Sequence, residues 1–363
     1  MHIAFVHRRA WRASALVGLS LAACIAPHED PVEASSSELG APGALPLRGT
    51  NLAGAEFGET MPGTFGVHYT YPTLAEVDYF VVSKRMTALR IPFRWQRLQH
   101  ALLSELDDAE LARLDAIVDY ATSKTASVIL DPHDYARYAG GLIDAAVPNA
   151  AFADLWRRLA DHYKTNARVV FGLMNEPYGL PAEHWVGAAN AAIAAIRELG
   201  SKNLILVPGV QWTGAHSWAS SSYGTPNATA MLGVTDPLDN FAFEVHQYVD
   251  SDFSGTHADC KSSTAGSEAM HDFTSWLRLH HKRGFVGELG GGWNPTCAAA
   301  IDDQLRFLEA NSDVYLGWTW WAAGPWWGGY FLSIEPTNGQ DSPMMSVLAG
   351  HLPQASVVGG VRR

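Results

Sequence analysis

Cysteine is scarce: three residues in a chain of 363 cannot support a disulfide-built scaffold. Two of them, Cys260 and Cys297, have no second Cys or His pair at zinc spacing, so they form an incomplete metal-ligand set. Basic residues are also few, 25 Lys and Arg against 37 Asp and Glu, and beyond the extreme N-terminus they do not cluster. A phosphate-binding surface needs clustered positive charge, so nucleic acid is excluded as a partner. A neutral polymer is compatible with the net charge of -12. Low-complexity repeats are absent, and no composition shift after about residue 43 marks a further boundary, which leaves one large domain. The apolar run Ala13–Ala22 is too short to span a bilayer comfortably.

What is present begins with the layout of an export signal over residues 1–24: basic His7, Arg8, Arg9 and Arg12, the apolar run, then small residues. Leu21-Ala22-Ala23-Cys24 resembles the bacterial lipobox, in which the cysteine becomes the lipidated first residue, so an outer membrane would be met only through that lipid anchor. The alternative is a secretory signal cut near Ala26; Arg8-Arg9 fits a twin-arginine signal poorly. Residues 25–43 carry Pro, Glu, Ala and Ser with hardly any large apolar group and read as a disordered tether. A single folded domain is expected over residues 44–351 and a tail over 352–363. After removal of the leader, export into an oxidising compartment makes a Cys260–Cys297 disulfide the expected state.

Within the domain, short apolar runs alternate with amphipathic stretches, the pattern of repeated βα units. Eight runs can be counted: 47–52, 88–93, 127–131, 169–174, 204–208, 241–245, 284–287 and 314–320. Helices are predicted over 108–123, 151–164, 183–199, 266–281 and 297–310. Between the fifth and sixth runs, residues 217–240 lack helical periodicity. The fold class expected is α/β, a single (β/α)8 barrel.

Arg90, His133, Asn175-Glu176, Gln211-Trp212, His246 with Tyr248, Glu288 and Trp321 all fall at or just past the C-terminal end of a run. In a barrel those ends converge on one face, so these residues are expected to surround one pocket. Glu176 and Glu288 then form a carboxylate pair suited to glycoside hydrolysis, one protonating a leaving oxygen and the other attacking or stabilising the anomeric carbon, without metal or cofactor. The competing reading of Asn175-Glu176-Pro177 is a helix-initiating turn. Glu288 must be ionised to attack, and Arg90 and Tyr248 are expected to keep it so. His133 and His246 suit either carboxylate orientation or sugar binding. No His-x-His pair stands early in the chain to suggest a metal-dependent barrel hydrolase, and His280-His281 lies in a helical stretch where neighbours face different ways. Among the 13 Trp residues, Trp318, Trp320, Trp321, Trp326 and Trp327 cluster after the eighth run. Alternation sets Trp318 and Trp320 on one side and Trp321 on the other. The Gly-Pro-Trp-Trp-Gly-Gly portion reads as a surface loop offering stacking platforms for sugar rings, with His68, Tyr69 and Tyr71 extending the same groove.

The segments Ala55-Glu-Phe-Gly58, Leu89-Arg-Ile-Pro-Phe93, Asp131-Pro-His133, Leu173-Met-Asn-Glu-Pro177, Glu244-Val-His-Gln-Tyr248 running into Asp250–His257, Gly287–Gly292 and Val314–Gly317 together resemble glycoside hydrolase family 5, in its endo-β-1,4-glucanase (cellulase) branch. The resemblance covers about residues 46–348. It implies that Glu176 is the acid/base and Glu288 the nucleophile, and that Asn175 binds the sugar 2-hydroxyl. It further implies supporting or substrate-binding roles for Arg90, His133, His246, Tyr248 and Trp321 and a Cys260–Cys297 disulfide; Trp212, at its strand end, is expected to bind substrate as well, and the chain is expected to act as a monomer on a β-glucan chain. The Trp-rich final loop departs from the family pattern and leaves the preferred polymer open. Another β-glycan (mixed-linkage glucan, xyloglucan or mannan), a non-catalytic glycan-binding surface lipoprotein and a metal-dependent hydrolase are the alternatives.

Overall fold

A computed structural model describes residues Leu45–Gln354. The expected export signal with Cys24, the tether and the tail beyond Gln354 lie outside the described residues. Eight strands, β1 (Leu47–Leu52), β2 (Ala88–Phe93), β3 (Ser127–Pro132), β4 (Val169–Gly172), β5 (Ile205–Pro208), β6 (Phe241–His246), β7 (Gly284–Leu289) and β8 (Tyr315–Ala323), pair in parallel with their sequence neighbours. β8 pairs with β1, which closes the barrel. Nearly every strand residue is buried, because a parallel sheet covered by helices has no wet face; this is why the strands read as continuous apolar runs.

The predicted helices are found as α1 (Asp108–Ser123), α2 (Asn149–Tyr163), α3 (Ala182–Glu198), α4 (Ala265–Leu279) and α5 (Pro295–Ala310). Local chemistry starts two of them. The Asp107 carboxylate accepts from the N–H groups of Ala109 and Glu110, and the Asn294 side chain accepts from Cys297 N–H with Pro295 in the first turn. The stretch without helical periodicity holds only the turns Asn227–Ala230 and Met231–Gly233. Its Asn227 is nonetheless buried and exchanges two hydrogen bonds of 2.9 Å with Val210, which fixes the loop after β5.

The barrel interior changes character with height. Leu47, Ala88, Ile129, Val170, Leu206, Ala242, Phe285 and Leu316, one from each strand, form an apolar plug. Two residues further along the first seven strands, on the same face by the pleat, stand Gly49, Arg90, Asp131, Gly172, Pro208, Glu244 and Gly287; on β8, where the register shifts, the residue level with Gly49 is Thr319. Three charged groups thus replace apolar ones immediately above the plug. Gly287 makes room for them, since a Cβ there would lie 2.0 Å from Glu244 Oε1. Cys260 and Cys297 are disulfide-bonded, tying the loop after β6 to the first turn of α5.

Candidate active site

Arg90 is fully buried and organises the top of the barrel. Its guanidinium lies 2.9 Å from Asp131, 3.1 Å from Glu244 and 3.2 Å from Glu288, and donates to Asn51 Oδ1 and Asn175 Oδ1, each at 2.9 Å. A buried cation surrounded by carboxylates is held charged, and here the attraction of Asp131, Glu244 and Glu288 outweighs the burial that would lower it. Glu244, by contrast, is lowered: burial would raise it, but Arg90 and then His246 prevail. Asp131 goes the other way, pushed up to about 7 by burial against Arg90.

Glu176 and Glu288 meet across this centre. Their carboxylates and His246 each offer an atom within 4.8 Å of the others. His246 Nδ1 is 2.8 Å from Glu176 Oε1 and 3.4 Å from Glu288 Oε2, and its Nε2 is 3.4 Å from Glu244. Burial alone would lower the imidazole, but Glu288, Glu176 and Glu244 overcome it and push it up to about 10. Tyr248 donates to Glu288 Oε2 at 2.6 Å. Even so, burial raises the Glu288 carboxyl above its ordinary value, with Glu176 adding to the rise and His246 and Arg90 opposing it. Arg90 therefore restrains the charge penalty on Glu288 without abolishing it, a weaker effect than the sequence implied.

The two glutamates differ in mounting. Glu288 is the penultimate residue of β7 and its side chain is 5% exposed; Glu176 sits beyond β4 at φ +40° with 17% exposure, so it meets solvent more readily. The positive φ is an unusual conformation for a non-glycine residue. Asn175 N–H donates to Pro132 O at 2.9 Å, its Oδ1 is taken by Arg90, and its buried Nδ2 has no partner among the described residues. His133 bonds Asp131 through Nδ1 at 2.8 Å and lies parallel to Trp321, ring centroids 5.3 Å apart at 19°. Burial holds its imidazole well below the usual value, hence neutral.

On the Glu176 side a groove of about 680 Å³ opens, lined by Tyr135, Tyr178, Trp212, His216, Tyr248 and Phe253 among others. Trp212 is 46% exposed there. On the opposite side Trp327 meets Trp321 and Phe57 edge-on, at 5.8 and 4.8 Å, and stacks on Tyr330 at 4.4 Å. Trp318 and Trp320 are core residues, and Trp326 is an exposed loop residue, as alternation and composition indicated. Tyr69 and Tyr71 correct the sequence reading. Both are buried with their hydroxyls bonded to Glu110, away from the Glu176 groove, because a buried carboxylate needs donors and theirs are nearest. Asp131 and Glu244 stand in the sequence as members of motifs with no role of their own; the signal of their role is an acidic residue on the inward alternation of an apolar run.

The arrangement brings Glu176, Glu288, Arg90, His133, Asn175, His246, Tyr248 and Trp321 together, with Trp212 on the groove wall. The family model described as cellulase (glycosyl hydrolase family 5) matches residues 48–324. A probable endo-beta-1,4-glucanase B of Aspergillus niger is 38% identical over 306 residues, 84% of this chain and 89% of that protein. Among solved structures, XacCel5A in complex with cellopentaose superposes with a TM-score of 0.83 at 47% identity, covering 85% of this chain and 99% of that one. Pseudomonas stutzeri endoglucanase Cel5A in complex with cellobiose gives 0.77 at 36% identity, covering 87% and 94%.

Proposed function

Since the chain belongs to glycosyl hydrolase family 5, we propose that it is a retaining endo-β-1,4-glucanase that cleaves internal bonds of cellulose-type glucans with Glu288 as nucleophile and Glu176 as acid/base. The observation that carries the mechanism is the approach of the two carboxylates within 4.8 Å. Retention needs carboxyl groups about 5–5.5 Å apart, whereas inversion needs roughly 6.5–9.5 Å to admit a water between them.

In the first step Glu288 attacks the anomeric carbon while the proton of Glu176 passes to the departing glycosidic oxygen. In the second, Glu176, now ionised, takes a proton from the water that displaces Glu288, and the β configuration returns. Protonated Glu176 removes one cause of the raised Glu288, so the reactive state is the one in which Glu176 holds the proton and Glu288 the charge. The closeness of the two carboxylates favours a single negative charge on the pair, because each like charge opposes the other, and the His246 cation beside them stabilises the charge that remains. In this reading Asn175 Nδ2, which has no partner among the described residues, bonds the sugar 2-hydroxyl, and the Trp321 ring, stacked on His133, carries the sugar face. The groove on the Glu176 side receives the leaving glucan, since the acid stands beside the leaving oxygen.

Both carboxylates and both cleft walls come from one chain, which supports action as a monomer. The Cys260–Cys297 bond supports export, and Cys24 is the proposed lipid attachment point of a bacterial cell-surface form. The test is to incubate the purified chain with carboxymethylcellulose, mixed-linkage glucan and mannan in parallel and follow the new reducing ends by NMR. Release of β-anomers first, with carboxymethylcellulose cleaved, is expected; α-anomers first would reject retention, and cleavage of mannan alone would reject the glucanase assignment.

A further inference from the structure

Three loops meet on the leaving-group wall in a stack that has no place in the core. Arg137, from the loop after β3, sets its guanidinium carbon 3.9 Å from the centroid of the Tyr178 ring. Tyr178, two residues after Glu176, lies face to face with Trp212 at 5.0 Å and 15°. Trp212 comes from the loop after β5, where Gln211, Trp212 and Thr213 take three successive left-handed conformations, φ +57°, +57° and +51°. Its N–H donates to Pro177 O at 3.3 Å, so the turn carrying Glu176 and the turn carrying Trp212 are joined.

Arg137 makes no carboxylate ion pair among the described residues. Its charge faces a ring instead, and its Nη1 donates to Tyr135 O at 2.7 Å, which sets the plane of the guanidinium. Gly179 keeps that place open: a Cβ there would stand 3.0 Å from Arg137 Nη2, and its φ of +77° is one that glycine takes without strain. Arg137 and Tyr178 are only half-buried and Trp212 is exposed, so the stack adds little to the folding core.

We propose that Arg137 and Tyr178 are positioning residues that pre-set Trp212 as the platform for the leaving glucan chain, an inference that rests on the endoglucanase reading and deepens it. An exposed indole on a loop would lose side-chain freedom on stacking with a sugar; a ring already clamped between loops has lost it beforehand. Tyr178 acts through its ring, not its hydroxyl.

The experiment compares cellotetraose, whose leaving unit reaches the wall, with β-cellobiosyl fluoride, whose leaving group is one atom, for the wild type, Arg137→Ala, Tyr178→Ala and Tyr178→Phe. The two alanine variants are expected to lower kcat/KM on cellotetraose roughly five- to tenfold, mainly through KM, and to leave the fluoride within about twofold. Tyr178→Phe should match the wild type on both. Equal losses on the two substrates would overturn the proposal, because they would place the damage at the attack on the anomeric carbon that both substrates share; a loss confined to cellotetraose but carried by kcat rather than KM would place it at Glu176 itself and overturn the proposal too, as would unchanged cellotetraose kinetics. A wild-type chain that hydrolyses the fluoride but not cellotetraose, or neither, overturns the endoglucanase reading and this inference with it.

Discussion

The two walls of the cleft are built from the same materials and held in opposite ways. On the leaving-group wall, Arg137, Tyr178 and Trp212 stack face to face and end in an exposed indole. Across the cleft, Phe57, Trp327 and Trp321 touch edge-on, and the loop that carries Phe57 is gripped from beneath. There Arg97, fully buried, donates to the carbonyls of Ala55 (2.6 Å), Phe57 (2.6 Å), Gly58 (3.2 Å) and Pro62 (2.8 Å), while Arg94 takes that of Glu56 at 2.9 Å. A buried guanidinium without a carboxylate is costly, and the carbonyls offset the cost only while the loop keeps its shape. One wall is therefore rigid by burial, and the other by stacking in the open. The difference matches the proposed mechanism, in which the Glu288 side would retain a covalently held sugar through two steps and the Glu176 side would release its chain after the first.

The largest effects should separate the two sides. Glu288→Ala should lower turnover by roughly 10⁴-fold or more on every substrate, with folding intact, because no bond to the anomeric carbon can form. Glu176→Ala should cost about 10²–10⁴-fold on cellotetraose but largely spare kcat/KM on 2,4-dinitrophenyl β-cellobioside, which leaves without protonation, while kcat falls because the second step lacks its base. Steady-state kinetics with a pre-steady-state burst measurement would check this; identical losses for both variants on both substrates would erase the division of labour.

A medium effect is expected where the walls are electrically joined. His246 is the strongest charge holding Glu288 down, and the proposed mechanism needs Glu288 ionised. Removing the cation in His246→Gln should raise the Glu288 pKa further, so the acid limb of kcat/KM should move to higher pH by about one unit. A limb that stays in place or moves down would show that His246 does not set the charge of the nucleophile.

The smallest effect concerns the buried wall. Glu56 has one oxygen bonded to Gly54 N–H at 2.7 Å and the other buried without a partner among the described residues, and burial pushes its carboxyl up to about 8. The unfolded value is about 4.3, so its contribution to stability is complete below that pH and is lost as pH rises through about 8. Glu56→Gln mimics the neutral form and should gain Tm relative to the wild type between pH 6 and pH 9, by about 2–4 °C. Parallel melting curves at the two pH values would suffice, and an equal offset at both would assign Glu56 an ordinary ionised state.

Much of this architecture was legible in the chain. Parallel strands covered on both sides must be apolar throughout, so the eight runs stood out, and the polar residues at their ends named the catalytic face. The loops were less transparent. Tyr69 and Tyr71 looked like groove residues because aromatic side chains near a strand end have no periodicity to assign them; the buried Glu110 carboxylate decided their place. Arg97 and Arg137 carry no sequence signal that distinguishes a clamp on carbonyls from a clamp on a ring.

The sequence by itself determined a closed βα barrel with Glu176 and Glu288 at the ends of two strands, because pleat, burial and strand direction follow from residue order alone. Only the tertiary structure decided how far Glu288 is restrained as an anion, which indoles are platforms and which are core, and how each wall is held. Those properties depend on distances and facing angles between side chains contributed by separate loops, and on burial, whose joint effect on charge and stacking no local pattern records.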